Sequence, residues 1–340
     1  MNAGPLEKEF HVCTVVDDDP AGPSRCDARG RAKVRRMIVG IESGGTKTLC
    51  AIADSHDAAT PIRVERIPTT TPAETFGRIN TVIAETLGTD VPEAVGIASF
   101  GPLNTNPDDE HYGWITGTTK PGWAFTDVLR HLGTGDAPHA FVTDVTGSAM
   151  GEATWGAARG IERVAYATVG TGIGVGFVAG DHVLGGNGFP EMGNILVRRH
   201  PRDDFEGSCP FHGDCVEGLA SGPSVIARWG ASGSELSAPD REAMTEIVGY
   251  YVAQLISIVT YTLGAERVVL GGGVMHTPGL LDSVRWQFDR IIGGPGAGHG
   301  LTQDSAEYIV APALGERSGV LGALALAQRT LAAQSPLSAS

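Results

Sequence analysis

Apolar positions along the chain change their period in a regular way, and that period assigns most of the elements. Met37–Asp54 reads MIVGIESGGTKTLCAIAD, two apolar runs around the turn Ser43-Gly44-Gly45-Thr46, which is the pattern of a β-hairpin. Thr71-Pro72-Ala73-Glu74 is a capping box with proline in the first turn. Phe76, Ile79, Val82, Ile83 and Leu87 then recur at helical spacing and predict one core-facing helix. Ala94–Ser99 is a short apolar run, read as a buried strand. His139–Val145 reads as a strand carrying Asp144 near its end, with a helix over Ser148–Gly156. Val164–Phe177 repeats the opening pattern of strand, glycine turn (Gly170-Thr171-Gly172-Ile173-Gly174) and strand. Further on, Glu217–Trp229 reads as helical with a turn at Gly222-Pro223, Arg241–Leu263 as a long buried helix, and Arg267–Leu270 as a parallel strand ending at Gly271-Gly272-Gly273. Tyr308–Pro312 is the last predicted strand and Val320–Leu331 the last helix. No long tandem repeat is visible, but the two glycine hairpins hint at duplicated halves.

Composition narrows the picture. A chain of 340 residues has room for two ordinary domains, and 41% hydrophobic residues support a sizeable core. The formal net charge of -14 repels phosphate backbones, so nucleic acid is not an expected partner. Residues 1–36 mix charges with turn formers and lack an apolar segment, so they read as a disordered leader, or else a small docking arm, with Met37 as a candidate start. Ile247–Ala265 contains no charge and raises a membrane question. Its Gly249, Tyr250, Tyr251, Gln254, Ser257, Thr260 and Thr262, with a strand directly after it, favour a core helix and no membrane partner. Five cysteines are an odd number without a disulfide pattern, which favours a reducing, cytoplasmic setting.

Four groups of residues carry candidate chemistry. The loops Ser43–Lys47 and Gly170–Gly174 are either tight turns or nests of N–H groups able to cradle phosphate. Asp144, where strand meets helix, either caps the helix or faces a cleft. Gly271-Gly272-Gly273 either makes a tight turn or leaves room for adenine or ribose at a strand's carboxyl end. Tyr112, Trp114 and Trp123 among glycines suit sugar faces or pack between loops. The stretch 188–218 holds Glu191, Glu217 and the spacing C-x2-H-x2-C at Cys209, His212 and Cys215. Two thiolates and an imidazole so close suit zinc, although a closed structural site takes four ligands. The same three residues also read as a knot that has lost its metal, or as unrelated loop residues.

The string PEMGN followed by C-x2-H-x2-C-x-E resembles the second signature of the ROK (repressor, open reading frame, kinase) sugar kinases. C-P-F-H-G-D-C, ASFGPLN and T-x-KPGW resemble the bacterial fructokinase branch of that family. Matches run in the family's order over roughly residues 37–333. The resemblance implies two actin-like (ribonuclease H-like) α/β ATPase domains, 37–145 and 146–316, with a cleft between them. A last helix over 317–333 then returns to the first domain. It implies MgATP-dependent transfer to a hexose, fructose above glucose or mannose, and a homodimer. By the same resemblance Asp144 is the general base, and Glu42 stands where the family Asp holds Mg2+. Gly44, Gly45, Thr46, Lys47, Gly170, Thr171, Gly172 and Gly174 hold phosphates, and Gly271, Gly272 and Gly273 border adenosine. Asn104, Thr146, Glu191, Asn194 and Glu217 bind sugar, and Cys209, His212 and Cys215 bind Zn2+. Two positions depart from the pattern: Thr146 replaces an Asn, and Asn194 replaces the His that serves as fourth zinc ligand. His200 is a nearby candidate to complete that tetrahedron. A non-catalytic sugar-binding relative is the alternative. A DNA-binding repressor is excluded by the short leader and the acidic charge.

Overall fold

The computed structural model describes residues 36–118, 120–185, 189–293 and 304–334. The leader predicted over 1–36 therefore lies outside the described residues, Arg36 apart. Strands β1 (Met37–Ser43) and β2 (Lys47–Asp54) pair antiparallel, and Gly44 N–H donates to Lys47 O at 2.9 Å to close the turn. β3 (Arg63–Pro68) extends this ribbon. Helix α1 (Pro72–Leu87) starts where its capping box predicts: Thr71 Oγ1 accepts Glu74 N–H at 3.4 Å, and Phe76, Ile79, Val82 and Ile83 are buried. β4 (Ala94–Ser99), buried at every position, runs parallel to β1. A small hairpin of β5 (Trp114–Ile115) and β6 (Thr126–Asp127) and the short α2 (Val128–His131) lead to β7 (His139–Thr143), parallel to β4. The sheet order is β3-β2-β1-β4-β7.

Helix α3 (Asp144–Trp155) follows β7 without a loop, so the helix expected from Ser148 begins earlier. The cause is Thr143, whose Oγ1 accepts Thr146 N–H at 3.2 Å and caps the helix. Asp144 is thus not the cap; it is the first helical residue. β8 (Arg163–Val169), β9 (Ile173–Ala179) and β10 (His182–Val183) form a second antiparallel ribbon. After it come α4 (Val216–Ala220), α5 (Gly222–Trp229), α6 (Ala238–Leu263), β11 (Arg267–Gly271), α7 (Leu280–Ile292), α8 (Ser305–Tyr308), β12 (Ile309–Val310) and α9 (Ser318–Ala333). The second sheet runs β10-β9-β8-β11-β12, the same order of antiparallel ribbon plus two parallel strands as the first. The strand expected at Tyr308–Pro312 is shorter, because Tyr308 ends a helical turn. Its ring stacks on Phe288, and its hydroxyl meets Thr260 Oγ1 at 2.9 Å.

α6 belongs to the core of the second sheet: Tyr251, Val252, Leu255, Ile256 and Val259 have no exposed surface. Its polar groups find protein partners, with Gln254 bonded to the Arg198 backbone in both directions at 2.9 and 3.0 Å. Protein, not lipid, satisfies this long apolar helix.

α9 packs against α3 and crosses β1 and β4, and glycines set how closely it lies. A Cβ at Gly96 would stand 1.9 Å from Ala323 O, one at Gly151 2.2 Å from Ser318 O, and one at Gly322 1.7 Å from Gly147 O. Each obstacle is backbone, which cannot rotate away. Gly322→Ala should therefore cost about 1–3 kcal/mol of stability or more. Gly77→Ala on α1, where an added Cβ meets nothing within 4 Å, should be neutral or stabilising. Urea unfolding of both variants checks this; equal effects would contradict it.

Candidate active site

The structure brings some of the predicted residues, Glu42, Lys47, Asp144, Gly271–Gly273, Asn104 and Glu191, around two neighbouring cavities. The larger, of about 550 Å3, is lined by Glu42, Lys47, Asp144, Tyr166, Gly271–Gly273 and the 315–319 turn. The smaller, of about 340 Å3, is lined by Asn104, Asn106, Asp109, Thr143, Phe189 and Glu191. Asp144 follows Thr143 directly, so the junction of β7 and α3 touches both.

Glycines make the larger cavity. Gly272 takes φ +97°, and a Cβ there would meet Val169 O at 2.4 Å, so the backbone must approach bare. Gly170 O accepts Gly222 N–H at 2.7 Å, which ties the second glycine turn to α5. On the far side of that turn, Glu217 Oε2 accepts Ile173 N–H at 2.9 Å. A Cβ at Gly172 would stand 2.7 Å from the same oxygen. In the first glycine turn, Lys120 Nζ donates to Gly45 O at 2.7 Å and to Thr69 O at 3.0 Å. Lys47 Nζ reaches Glu316 Oε2 at 2.8 Å along the cavity wall.

Carboxylates converge at this junction, Glu42 and Asp144 on the larger cavity and Glu191 on the smaller. Burial pushes Glu42 up to about 7, with Asp144 adding to the rise and Lys47 opposing it. Asp144 is also raised, chiefly by burial, against a hydrogen bond from Val145 N–H at 2.9 Å. Burial raises Glu191 too, with Glu217 and Asp144 as further causes. Glu42 Oε2 is buried and has no hydrogen-bond partner. Hard oxygen donors left in this state, beside a second carboxylate, fit Mg2+.

The sugar-side expectations divide. Asn104 and Glu191 meet in the smaller cavity. Thr146 does not: it is 1% exposed, and its hydroxyl lies 2.8 Å from Thr143 Oγ1. Thr143 faces the cavity instead. Asn194 ends a short 3-10 turn, Met192–Asn194, and is exposed. Asn106 and Asp109 escaped the sequence reading; the run Asn104 to Asp109, with side chains accepting from backbone N–H groups at 2.8–3.1 Å, is the Asx-turn signal that marks them.

Cys209 Sγ and His212 Nδ1 are 3.7 Å apart, and the ligand atoms of Cys209, His212 and Cys215 all lie within 4.8 Å of one another. Tetrahedral zinc with ordinary bond lengths would place sulfur and nitrogen about 3.6 Å apart. Cys215 Sγ also accepts Gly218 N–H at 3.4 Å. His200 does not complete the set, because its Nδ1 accepts Arg202 N–H at 3.2 Å and its Nε2 faces Glu246 at 3.6 Å.

Two sheets of one shared strand order, flanked by helices and carrying a glycine hairpin each, define an actin-like ATPase fold. Residues 38–330 match the ROK family, and the chain belongs to it. It is 42% identical over 291 residues to the fructokinase of Zymomonas mobilis subsp. mobilis, covering 84% of this chain and 95% of that one. It is 37% identical over 297 residues to the fructokinase of Pediococcus pentosaceus, covering 87% and 99%. The solved ROK hexokinase from Thermus thermophilus matches with TM-score 0.70 and 25% identity over 87% of this chain and 99% of that chain. A ROK family glucokinase from Streptomyces griseus, in complex with glucose and AMPPNP, shares the fold at TM-score 0.66 and 21% identity, over 86% and 99%.

Glu42 makes a pH prediction. Its carboxyl titrates near 4.5 unfolded and about 7 folded, so the folded chain binds that proton more tightly. The stabilisation is complete below about 4.5 and is lost as pH rises through 7, by roughly 3 kcal/mol in total. Glu42→Gln should therefore stabilise the ligand-free protein by about 1–3 kcal/mol at pH 8 and by much less at pH 4. Urea unfolding at the two pH values reads this, and a difference independent of pH would refute it.

Proposed function

We propose that this chain is an ATP-dependent hexose kinase that phosphorylates the 6-hydroxyl of fructose. The observation that best supports this is Asp144, a buried carboxylate at the junction of a glycine-walled cavity and a polar one. Similarity of 37–42% to fructokinases over most of the chain favours fructose as the acceptor.

In this reading the larger cavity takes ATP. The turns at 43–47 and 170–174 hold phosphates through backbone N–H groups, and Gly271–Gly273 border adenosine. Mg2+ beside Glu42 would supply charge neutralisation of the phosphates. Asn104, Glu191 and Glu217 orient the sugar, with Thr143 in place of Thr146. Asp144 accepts the proton of the 6-hydroxyl as that oxygen bonds to the γ-phosphorus, and the bond from phosphorus to the ADP oxygen breaks. A raised carboxylate is the stronger base, provided it is ionised. Positioning and charge neutralisation supply most of the rate in such transfers.

Cys209, His212 and Cys215 hold Zn2+ in this proposal, less tightly than a site with four strong ligands, because the amide of Asn194 is a poor donor. The antiparallel bridge between Leu196 and Cys215 would pass the metal's effect to the 191–194 turn.

Asp144→Asn should lower kcat by about 10²–10⁴-fold with little change in folding. A variant retaining more than half the activity removes Asp144 from the mechanism. In an ADP-release assay across fructose, glucose and mannose, fructose should give the highest kcat/KM. A lead for glucose of about tenfold or more, some 1.4 kcal/mol, would overturn the fructose assignment and leave the kinase. Chelation should remove zinc and raise KM for fructose, and Asn194→His should retain zinc through the same treatment. Full activity without zinc, with neither KM nor Tm altered by added zinc, would refute the metal site.

A further inference from the structure

Glu152 lies on α3 two turns beyond Asp144, with none of its surface exposed. Four donors converge on its carboxylate. Oε2 accepts Ala157 N–H at 2.7 Å and Ala313 N–H at 3.1 Å. Oε1 accepts Leu314 N–H at 3.0 Å and the Ser318 hydroxyl at 2.7 Å. Only a carboxylate has two oxygens that both accept without offering a donor in return.

Two of the four donors, Ala313 and Leu314, belong to the connection between β12 and α9, and a third, Ser318, opens α9. That connection has little regular structure: a single short turn, Gly315–Arg317, precedes α9. Yet it forms one wall of the larger cavity through Ala311, Pro312, Gly315, Glu316, Ser318 and Gly319. Glu152 holds this wall from behind, and it does so from the helix that carries Asp144. Ser318 is the first residue of α9, and the next residue, Gly319, sits against Glu42: a Cβ there would be 2.4 Å from Glu42 Cδ.

We propose that Glu152 is a positioning residue for nucleotide binding, fixing the 311–319 wall of the larger cavity relative to Asp144 and Glu42. The inference rests on reading that cavity as the nucleotide site. None of the hydrogen bonds of Glu152 reaches a residue lining the smaller cavity, so its loss should act mainly on one substrate. A merely structural residue would weaken both substrates together.

The test uses Glu152→Gln and Ser318→Ala in the full chain, with AMPPNP affinity by calorimetry, KM for ATP and for fructose, and Tm. Glutamine turns an NH2 toward two donors, and such a loss at a charged acceptor should weaken AMPPNP binding and raise KM for ATP by about tenfold or more. KM for fructose should stay within about twofold, since that smaller factor is under 0.5 kcal/mol. Ser318→Ala removes one donor, leaves Leu314 N–H in place, and should shift the nucleotide terms in the same direction by about threefold. A folded Glu152→Gln with unchanged AMPPNP affinity overturns the proposal. So does a parallel rise of both KM values that tracks the loss of Tm. Should Glu152→Gln fail to fold, Ser318→Ala decides by the same split. AMPPNP binding needs no turnover: a chain that binds it in a Glu152-dependent way but does not phosphorylate fructose would sink the fructose reading alone. Absence of AMPPNP binding in the unaltered protein would overturn both.

Discussion

The site depends on two helices that touch backbone to backbone. Gly147 and Gly151 on α3 face Gly322 and the Ser318 carbonyl on α9, and any Cβ at Gly151 or Gly322 would land within 2.2 Å of a peptide oxygen. α3 carries Asp144 at its first position, and α9 carries Gly319 against Glu42. A wider helix pair would draw Asp144 away from Glu42. Gly40 and Gly96 on β1 and β4 accept α9 on its other side in the same way, so one helix registers α3 against the first sheet. Side chains at this seam would force the helices apart, and their absence lets Glu42 and Asp144 meet on one cavity.

That convergence has an electrostatic cost which the chain leaves partly unrelieved. Burial raises Glu42, Asp144 and Glu191, and the nearby Asp144 adds to the rise at the other two. Lys47 opposes the rise at Glu42, but its ammonium also engages Glu316. Glu217 is anchored by Ile173 N–H. The remaining three are raised in the absence of a cation, a state in which protonation and metal binding compete for the same oxygens. On the kinase reading, phosphates of a nucleotide enter so acidic a cavity only with a divalent cation, which makes the carboxylates a filter for the metal complex over the bare anion.

Legibility in the sequence followed the range of the interactions. The hairpins at Ser43–Lys47 and Gly170–Gly174, the cap at Thr71 and the strand Ala94–Ser99 are local and were readable as they stand. α7 also showed its spacing in Leu280, Val284, Phe288 and Ile292, a helical signal the reading passed over. Asp144 was legible as a residue but not in its setting, because the cap at Thr143 that starts α3 early depends on rotamer. The same rotamer turns Thr146 inward and Thr143 toward the smaller cavity. Lys120 could be seen as part of a motif, yet its bonds to Gly45 O and Thr69 O join segments far apart in the chain. Glu152 was visible only as one position in the helix predicted over Ser148–Gly156, since its donors at 313–318 arrive through the whole second half of the fold.

The loop that carries Cys209, His212 and Cys215 divides into an anchored base and an outer arc. Its base is held without metal. Arg228 reaches Asp203 at 3.0 Å and Leu219 O at 3.1 Å, while its guanidinium stacks on Phe205 and Trp229. Tyr251 OH adds a bond of 2.6 Å to the same Asp203 carboxylate. The side chain of Asp203 is 2% exposed and that of Arg228 9%, so this is a buried ion pair, and the bond from Arg228 to Leu219 O anchors α4 and, with it, Glu217. What remains for a metal to order is the outer arc from Cys209 to Cys215 and, through the Leu196–Cys215 bridge, the turn holding Glu191 and Asn194. Glu217 is set by the protein, whereas Glu191 lies on the side that a metal would tighten. On the proposed zinc reading, a weak donor at Asn194 would therefore loosen control over Glu191 and leave Glu217 in place.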